Sequence, residues 1–252
     1  MCLLVLAWNA APGRRLVLAG NRDEFHARPT APMQWWTAPR MLAGRDLQAG
    51  GTWLGAGEDG RFAVVTNFRS PALPAADAPS RGELIPGFFA GRERPLAFLQ
   101  RVAADGERYA GFSLLLGDAG ELAWWSNRAD HGPAQLAPGV YGLSNGLLDT
   151  PWPKLTRTRA RFAALLAAGA PSLDALLDLM TDRAAAPEAD LPDTGIGRER
   201  ERFLSAPFIV GAAYGTRCTT ALAVDERGRV HAAERSYDPA GRALDTRRFE
   251  PG

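Results

Sequence analysis

The chain has 252 residues and a near-even balance of 29 Lys plus Arg against 28 Asp plus Glu. Its basic residues are spread along the sequence, so no basic stripe offers a nucleic-acid partner a surface. No apolar run approaches the ~20 residues that cross a bilayer, and the start lacks the basic segment and long apolar core of a secretory signal. The length suits one domain over residues 1–252 with a sizeable core.

Leu3–Ala7 reads as a buried strand, and Arg15–Gly20 as its hairpin partner across the turn Ala11-Pro12-Gly13. Met41–Leu42 and Gly51–Leu54 are short strand candidates, and Arg61–Phe68 is a longer one. Pro71–Ser80 holds three prolines and reads as a loop. Arg81–Ala90 and Pro95–Ala104 carry apolar residues at helical spacing. Phe112–Leu116 and Leu122–Ser126 flank Gly117-Asp118-Ala119-Gly120 as a hairpin, and Val140–Ser144 follows as a strand. Pro153–Ala168 is the strongest helical segment, ended by Gly169. Ser172 caps a second helix to about Thr181, with Asp174 in its first turn. Residues 184–198 are polar and rich in Pro and Gly, an exposed loop. Cys218–Asp225 and Arg229–Arg235 form a last hairpin across Glu226-Arg227-Gly228. Strands at both ends and helices between them, without regular alternation, predict an α+β fold of antiparallel sheets covered by helices.

Of the 29 basic residues only Lys154 is a lysine, which reads as the coding bias of a GC-rich, bacterial genome. Two cysteines, Cys2 and Cys218, give no disulfide framework and point to reduced thiols in the cytoplasm. His26, His131 and His231 lie far apart without metal-ligand spacing.

Cys2 is the first candidate for chemistry. Removal of Met1 would leave a thiol and an α-amine on one residue, a nucleophile with its own base. The amine titrates at roughly 7.7–8.0 and can take the thiol proton at neutral pH. A small buried apolar side chain is the plain alternative for a cysteine in such a strand.

Asn21-Arg22-Asp23-Glu24 follows the second strand with donors and acceptors together, although such a tetrapeptide also suits a solvated turn. Gly50-Gly51-Thr52-Trp53-Leu54-Gly55 allows close backbone approach. Thr66-Asn67-Phe68-Arg69 and Tyr141-Gly142-Leu143-Ser144-Asn145-Gly146 each put an amide at a strand end, where it could donate to an oxyanion. Asn145-Gly146 is equally a turn dipeptide. Tyr214-Gly215-Thr216-Arg217-Cys218 supplies an arginine that could clamp a carboxylate or neighbour a thiolate.

In this order and spacing the motifs resemble the NRDE family, which includes the transport and Golgi organisation protein 2 group. The resemblance spans nearly the whole chain. It implies a four-layer αββα sandwich like that of the N-terminal nucleophile (Ntn) hydrolases. Related enzymes of the choloylglycine hydrolase and acyl-CoA:penicillin acyltransferase type cleave or transfer acyl groups at non-peptide amide or thioester bonds. Carried over, the resemblance puts the nucleophile at Cys2 and the oxyanion amides at Asn67 and Asn145. The late arginine falls at Arg217, and the acid at Glu24, with Asp23 beside it to hold the α-amine. Where those enzymes carry their early arginine this chain has Asn21, with Arg22 adjacent. Trp53, Phe68, Arg69, Tyr141 and Tyr214 are expected to contact substrate.

That implies an amide or thioester hydrolase or acyltransferase for a small acyl substrate, with no metal and no cofactor. The other reading is a non-catalytic carrier on the same fold, taking haem or a lipid or acyl metabolite, with His26 and Cys2 as candidate axial ligands. The sequence leaves the oligomeric state open.

Overall fold

The computed structural model describes residues 2–72, 75 and 77–251. One sheet joins six strands in the order β10-β1-β2-β11-β12-β13. These are β1 (Cys2–Ala11), β2 (Arg14–Phe25), β10 (Gly139–Leu143), β11 (Tyr214–Asp225), β12 (Val230–Tyr237) and β13 (Ala243–Phe249). The other joins seven in sequence order, β3-β4-β5-β6-β7-β8-β9. Its strands are β3 (Thr30–Thr37), β4 (Arg40–Asp46), β5 (Leu54–Ala56), β6 (Phe62–Asn67), β7 (Phe112–Gly117), β8 (Leu122–Ser126) and β9 (Ala134–Leu136). Their strand pairings among the described residues are antiparallel.

The sheets stack face to face. Successive strand residues point to opposite faces, so β1 sends Leu4, Leu6 and Trp8 inward, against Met33, Leu42 and Phe62 of the second sheet. Leu3, Val5 and Ala7 point outward, under α3 (Pro153–Ala167) and α4 (Leu173–Leu179), whose Leu155, Phe162 and Leu177 cover them. The outer face of the second sheet, with Met41, Ala63 and Leu114, lies under Ile85, Phe88 and Leu99 of α1 (Leu84–Ala90) and α2 (Pro95–Ala104). The result is the four-layer αββα sandwich that the family resemblance implies. Strands covered on both faces read as apolar runs without alternation, which is why Leu3–Ala7 looks uniformly apolar.

Several elements differ from the sequence reading. The second strand runs on to Phe25 instead of stopping at Gly20, so Asn21–Glu24 is strand and not turn. Its extension is held by β11, which begins at Tyr214, four residues before the predicted start. The predicted strand at Gly51–Leu54 is displaced to Leu54–Ala56. β3, β9, β13 and a short helix α5 (Arg198–Phe203) were not foreseen, and β13 follows the hairpin expected to be last. These are edge or half-exposed pieces with little apolar signal: β13 alone carries five exposed residues of seven. The loop predicted for Pro71–Ser80 includes Leu73, Pro74 and Ala76, which lie outside the described residues.

At one end the sheets are tied by polar contacts. Thr66 Oγ1 of β6 donates to the Ser144 carbonyl at 3.0 Å, and Ser144 Oγ donates to the Cys2 carbonyl at 3.2 Å. Arg69 N donates to the Asn145 carbonyl at 2.7 Å. No described helix is long and apolar enough to cross a membrane.

Candidate functional site

The tied end of the sandwich holds two cavities. The smaller, about 290 Å³, is lined by Cys2, Arg22, Trp53 and Arg81 among others. The larger, about 750 Å³, is lined by Phe68, Arg69, Tyr109, Asn145, Phe203 and Tyr214 among others. Glu24, Asn67, Ala78, Arg81 and Ala110 line both, so the two share a wall.

Cys2 sits in register with Arg22, and Arg22 in turn with Cys218. Cys2 is half-buried, and burial raises its thiol above the ordinary value; Asp23 raises it further while Arg22 opposes. Both cysteines are free. One strand separates them, which places their Cα atoms about 10 Å apart, beyond the ~7 Å a disulfide can bridge.

The tetrapeptide after Gly20 divides across the sheet. Arg22 points between the sheets, stacked 4.2 Å over the Trp53 ring, and Nη1 donates to Thr30 Oγ1 at 3.2 Å. Glu24 reaches the shared cavity wall, where its Oε1 accepts from the Phe25 N–H at 2.8 Å. Asn21 takes the opposite face. Its Nδ2 donates to the carbonyls of Met180 and Pro207, both at 2.9 Å, and its Oδ1 accepts from Thr219 Oγ1 at 2.6 Å. With three partners and no place in either cavity, Asn21 braces the helical layer and stands apart from the other predicted site residues.

Asp23 is buried, and its Oδ1 accepts from Thr216 Oγ1 at 2.7 Å. Thr216 Oγ1 also accepts from Ile209 N at 2.9 Å, and Tyr214 Oη donates to the Asp23 carbonyl at 3.0 Å. Burial raises the Asp23 carboxyl, and the N-terminal ammonium, then the Lys154 cation and the Thr216 hydrogen bond, pull it back. The buried acid beside Cys2 is therefore Asp23, whereas the sequence resemblance placed it at Glu24. Burial pushes the Tyr214 phenol well above its ordinary value.

Asn67 and Asn145 are in contact. Asn145 is fully buried, and its Nδ2 donates to the Asn67 carbonyl at 2.9 Å. That uses one of two amide hydrogens. Its Oδ1 has no hydrogen-bond partner among the described residues. Arg69 is buried in an ion pair with Glu201 and stacks 4.4 Å from the centre of the Trp152 ring. Glu201 also accepts from Thr194 N at 2.9 Å.

Besides Asn21, two more predicted residues fall outside both cavities. Arg217 is the extra residue of a bulge between Thr216 and Cys218. It donates to the Phe25 and Arg28 carbonyls at 2.8 and 3.1 Å. Tyr141 is paired with Leu6, four residues up the strand from Cys2, and its Oη donates to the Ala137 carbonyl at 2.7 Å. The two haem-ligand candidates part as well. His26 lines neither cavity, and its Nε2 lies 2.9 Å from the Gly211 carbonyl. No cluster of three or more metal-binding side chains occurs among the described residues.

Sequence reasoning missed Arg28, Asp46, Arg81, Glu201 and Lys154. Arg28 Nε meets Asp46 Oδ2 at 2.7 Å on the wall of the smaller cavity. Arg81 Nη1 donates to the Gly111 carbonyl at 3.0 Å. Only Lys154 carried a signal, its uniqueness in composition.

The architecture is shared with known proteins. The crystal structure of the C2A mutant of a conjugated bile acid hydrolase from Clostridium perfringens superposes with a TM-score of 0.51, over 99% of this chain and 92% of that one, at 9% identity. At that identity the likeness shows a shared fold. The Bos taurus Transport and Golgi organization protein 2 homolog is 35% identical over 99% of both chains. The human homolog is 35% identical over 94% of this chain and 93% of its own. The Drosophila melanogaster protein is 27% identical over 96% and 95%. These relatives are animal proteins and lend no support to the bacterial reading of the arginine bias. The family model for Transport and Golgi organisation 2 matches residues 1–239, and the chain belongs to that family.

Proposed function

We propose that this protein is an N-terminal-cysteine hydrolase or acyltransferase for a small non-peptide amide or thioester, working as one domain over residues 1–252. The observation that carries the reading is Cys2 on the wall of a cavity that Asp23 and Asn67 also line, with Asn145 bonded to the Asn67 carbonyl. The fold is shared with a bile acid hydrolase whose crystallised mutant has Ala at position 2 in place of Cys.

Once Met1 is removed, the Cys2 α-amine takes the thiol proton and the thiolate attacks the acyl carbonyl. The carbonyl π pair moves to oxygen, and Asn67 and Asn145 donate to that oxyanion, each such donor being worth roughly 3–4 kcal/mol. The oxyanion collapses, the ammonium protonates the leaving group, and a Cys2 thioester remains. Water or an acceptor then takes the acyl group and returns the thiol. Asp23 holds the amine through the cycle, and Trp53, Phe68, Arg69 and Tyr214 bound the substrate. Two free thiols suit a reducing compartment, and we place the protein in the cytoplasm.

The test is turnover of a panel of acyl amides and thioesters by protein whose intact mass shows Met1 removed. Cys2→Ala should abolish turnover and keep the wild-type melting temperature. Full activity in Cys2→Ala refutes the reading.

The larger cavity favours one alternative, a carrier of haem or of a lipid or acyl metabolite, since about 750 Å³ suffices for such a ligand. The relatives' names speak of transport. With His26 committed to Gly211, Cys2 is the remaining named axial ligand. A haemin titration without a saturable Soret shift removes the haem form of this reading.

A further inference from the structure

Gly51, Thr52 and Trp53 wall the smaller cavity together with Cys2 and two arginines, Arg22 and Arg81. This glycine-rich stretch sets both arginines in place. The Trp53 ring centre lies 4.2 Å from the Arg22 guanidinium carbon. The ring has its room because Gly44 lacks a side chain: a methyl there would come 2.3 Å from Trp53 Cη2. On the Arg81 side, a methyl on Gly51 would come 2.4 Å from the Gly82 carbonyl carbon, and Thr52 N donates to the Gly82 carbonyl at 3.1 Å. Only bare backbones approach so closely. The contact holds the short 3-10 turn Arg81–Glu83 against the cavity.

Both guanidinium groups keep open donors. Arg22 is 5% exposed, and its Nη1 donates to Thr30 Oγ1 at 3.2 Å. Its Nε and Nη2 have no acceptor among the described residues, yet neither is sealed off, so they open on the cavity that Arg22 lines. Arg81 is half-buried and gives Nη1 to the Gly111 carbonyl at 3.0 Å. An arginine carries five donors in a rigid fork, so most of each fork stays unused. Neither arginine has an ion pair among the described residues. The carboxylates on the same wall have other partners. Asp46 holds Arg28 at 2.7 Å, and Asp23 meets the Thr216 hydroxyl at 2.7 Å. Glu24 accepts from the Phe25 N–H at 2.8 Å; its charge is felt at Arg81, but no ion pair joins them.

Two open forks on one small cavity with a nucleophile match a ligand that brings its own anion. A planar carboxylate accepts two parallel N–H bonds from such a fork. At about 290 Å³ the cavity is at the small end of ligand sites, with room for a short acyl chain and not for a long one. We propose that Arg22 and Arg81 bind a carboxylate in the smaller cavity, so that the acyl group brought to Cys2 is short and ends in an acid: a half-amide or half-thioester of a dicarboxylic acid. The acyl identity rests on the hydrolase or acyltransferase reading of Cys2; the anion site does not.

The test is calorimetric titration with glutarate, the product such a substrate would leave, together with its effect on iodoacetamide alkylation of Cys2 read by peptide mass. Glutarate should bind saturably and slow alkylation, and neutral glutaramide should do neither. Inorganic phosphate should bind about tenfold more weakly or worse, since it lacks the second carboxylate and the chain; phosphate as tight as glutarate overturns the carboxylate assignment. Arg22→Gln and Arg81→Gln should each weaken glutarate binding by about tenfold or more through lost charge-assisted hydrogen bonds. Arg108→Gln, on the wall of the larger cavity alone, should leave it unchanged. Half-buried Arg81 decides the matter should Arg22→Gln fail to fold. No saturable binding, or binding that survives in Arg81→Gln, overturns the proposal. The two readings fail separately. Glutarate binding without turnover of any amide or thioester keeps the anion site and removes the hydrolase. Turnover with equal KM for neutral and acid-ended acyl groups keeps the hydrolase and overturns the anion site.

Discussion

Asn21 gives the sharpest test, because its position in the motif suggests chemistry and its contacts suggest support. Its side chain joins three partners that no other element brings together: the Met180 carbonyl just after α4, the Pro207 carbonyl after α5, and the Thr219 hydroxyl of β11. Asn21→Ala leaves two buried carbonyls and one hydroxyl without this partner. Each orphaned group costs about 1–3 kcal/mol, reduced where it relaxes toward water. A net loss of about 3–5 kcal/mol follows, since Met180 and Thr219 are fully buried. For a chain of this size, with about 2–4 °C per kcal/mol, the melting temperature should fall by roughly 6–20 °C. Cys2 alkylation below the transition should stay within about twofold of wild type, because Asn21 faces the helices and not the cavity. The assays are thermal melting and peptide-resolved alkylation on the same sample. A variant that melts within about 1 kcal/mol of wild type yet loses Cys2 reactivity refutes this account and returns Asn21 to the catalytic group.

Glu201→Gln leaves the Arg69 charge buried without its anion and should cost about 3–5 kcal/mol in urea unfolding; a cost under about 1 kcal/mol would show that water reaches the pair. Gly51→Ala places a methyl 2.4 Å from the Gly82 backbone, so the contact must open at a cost of about 1–3 kcal/mol. Faster Cys2 alkylation should accompany it, and an unchanged melt and rate would contradict it. Burial lowers the Lys154 ammonium from the ordinary value of 10.5 to about 8. At this one group the unfolded chain then binds more protons between those values, so the Lys154 share of stability should rise by about 3 kcal/mol from pH 7 to pH 10.5, against the opposite slope of the buried Cys2, Cys218 and Tyr214. Urea melts across that range should show a more positive slope in wild type than in Lys154→Met; equal slopes in both would refute it.

The fold was legible where apolar periodicity was strong. Pro95–Ala104 and the hairpin around Gly117–Gly120 fall where the sequence puts them, and Ser172 caps α4 by accepting from Ala175 N at 3.2 Å. β13 was illegible because its residues are mostly exposed and its strand state depends on pairing with β12. The turn reading of Asn21–Glu24 failed for a related reason. Local preference favours a turn, but ladders to β1 and β11 on both sides hold the segment extended. At the site, Cys2 could be nominated from its place after Met1 and Asn145 from its strand end, while the role given to Asn67 came with the family resemblance. The choice between Asp23 and Glu24 could not, since it depends on which face of β2 the buried Thr216 hydroxyl meets.

The division of Asn21–Glu24 across the sheet changes what the motif is. Contiguous in sequence, it is two pairs in space. Arg22 and Glu24 turn one way, to the cavities; Asn21 and Asp23 turn the other, where Asn21 holds the ends of α4 and α5 and Asp23 meets Thr216 while still reaching the wall of the smaller cavity. A substitution that suits a new ligand at the even positions must still leave the odd ones able to hold the helices. Chemistry and architecture share one stretch of backbone here, and neither can drift without displacing the other.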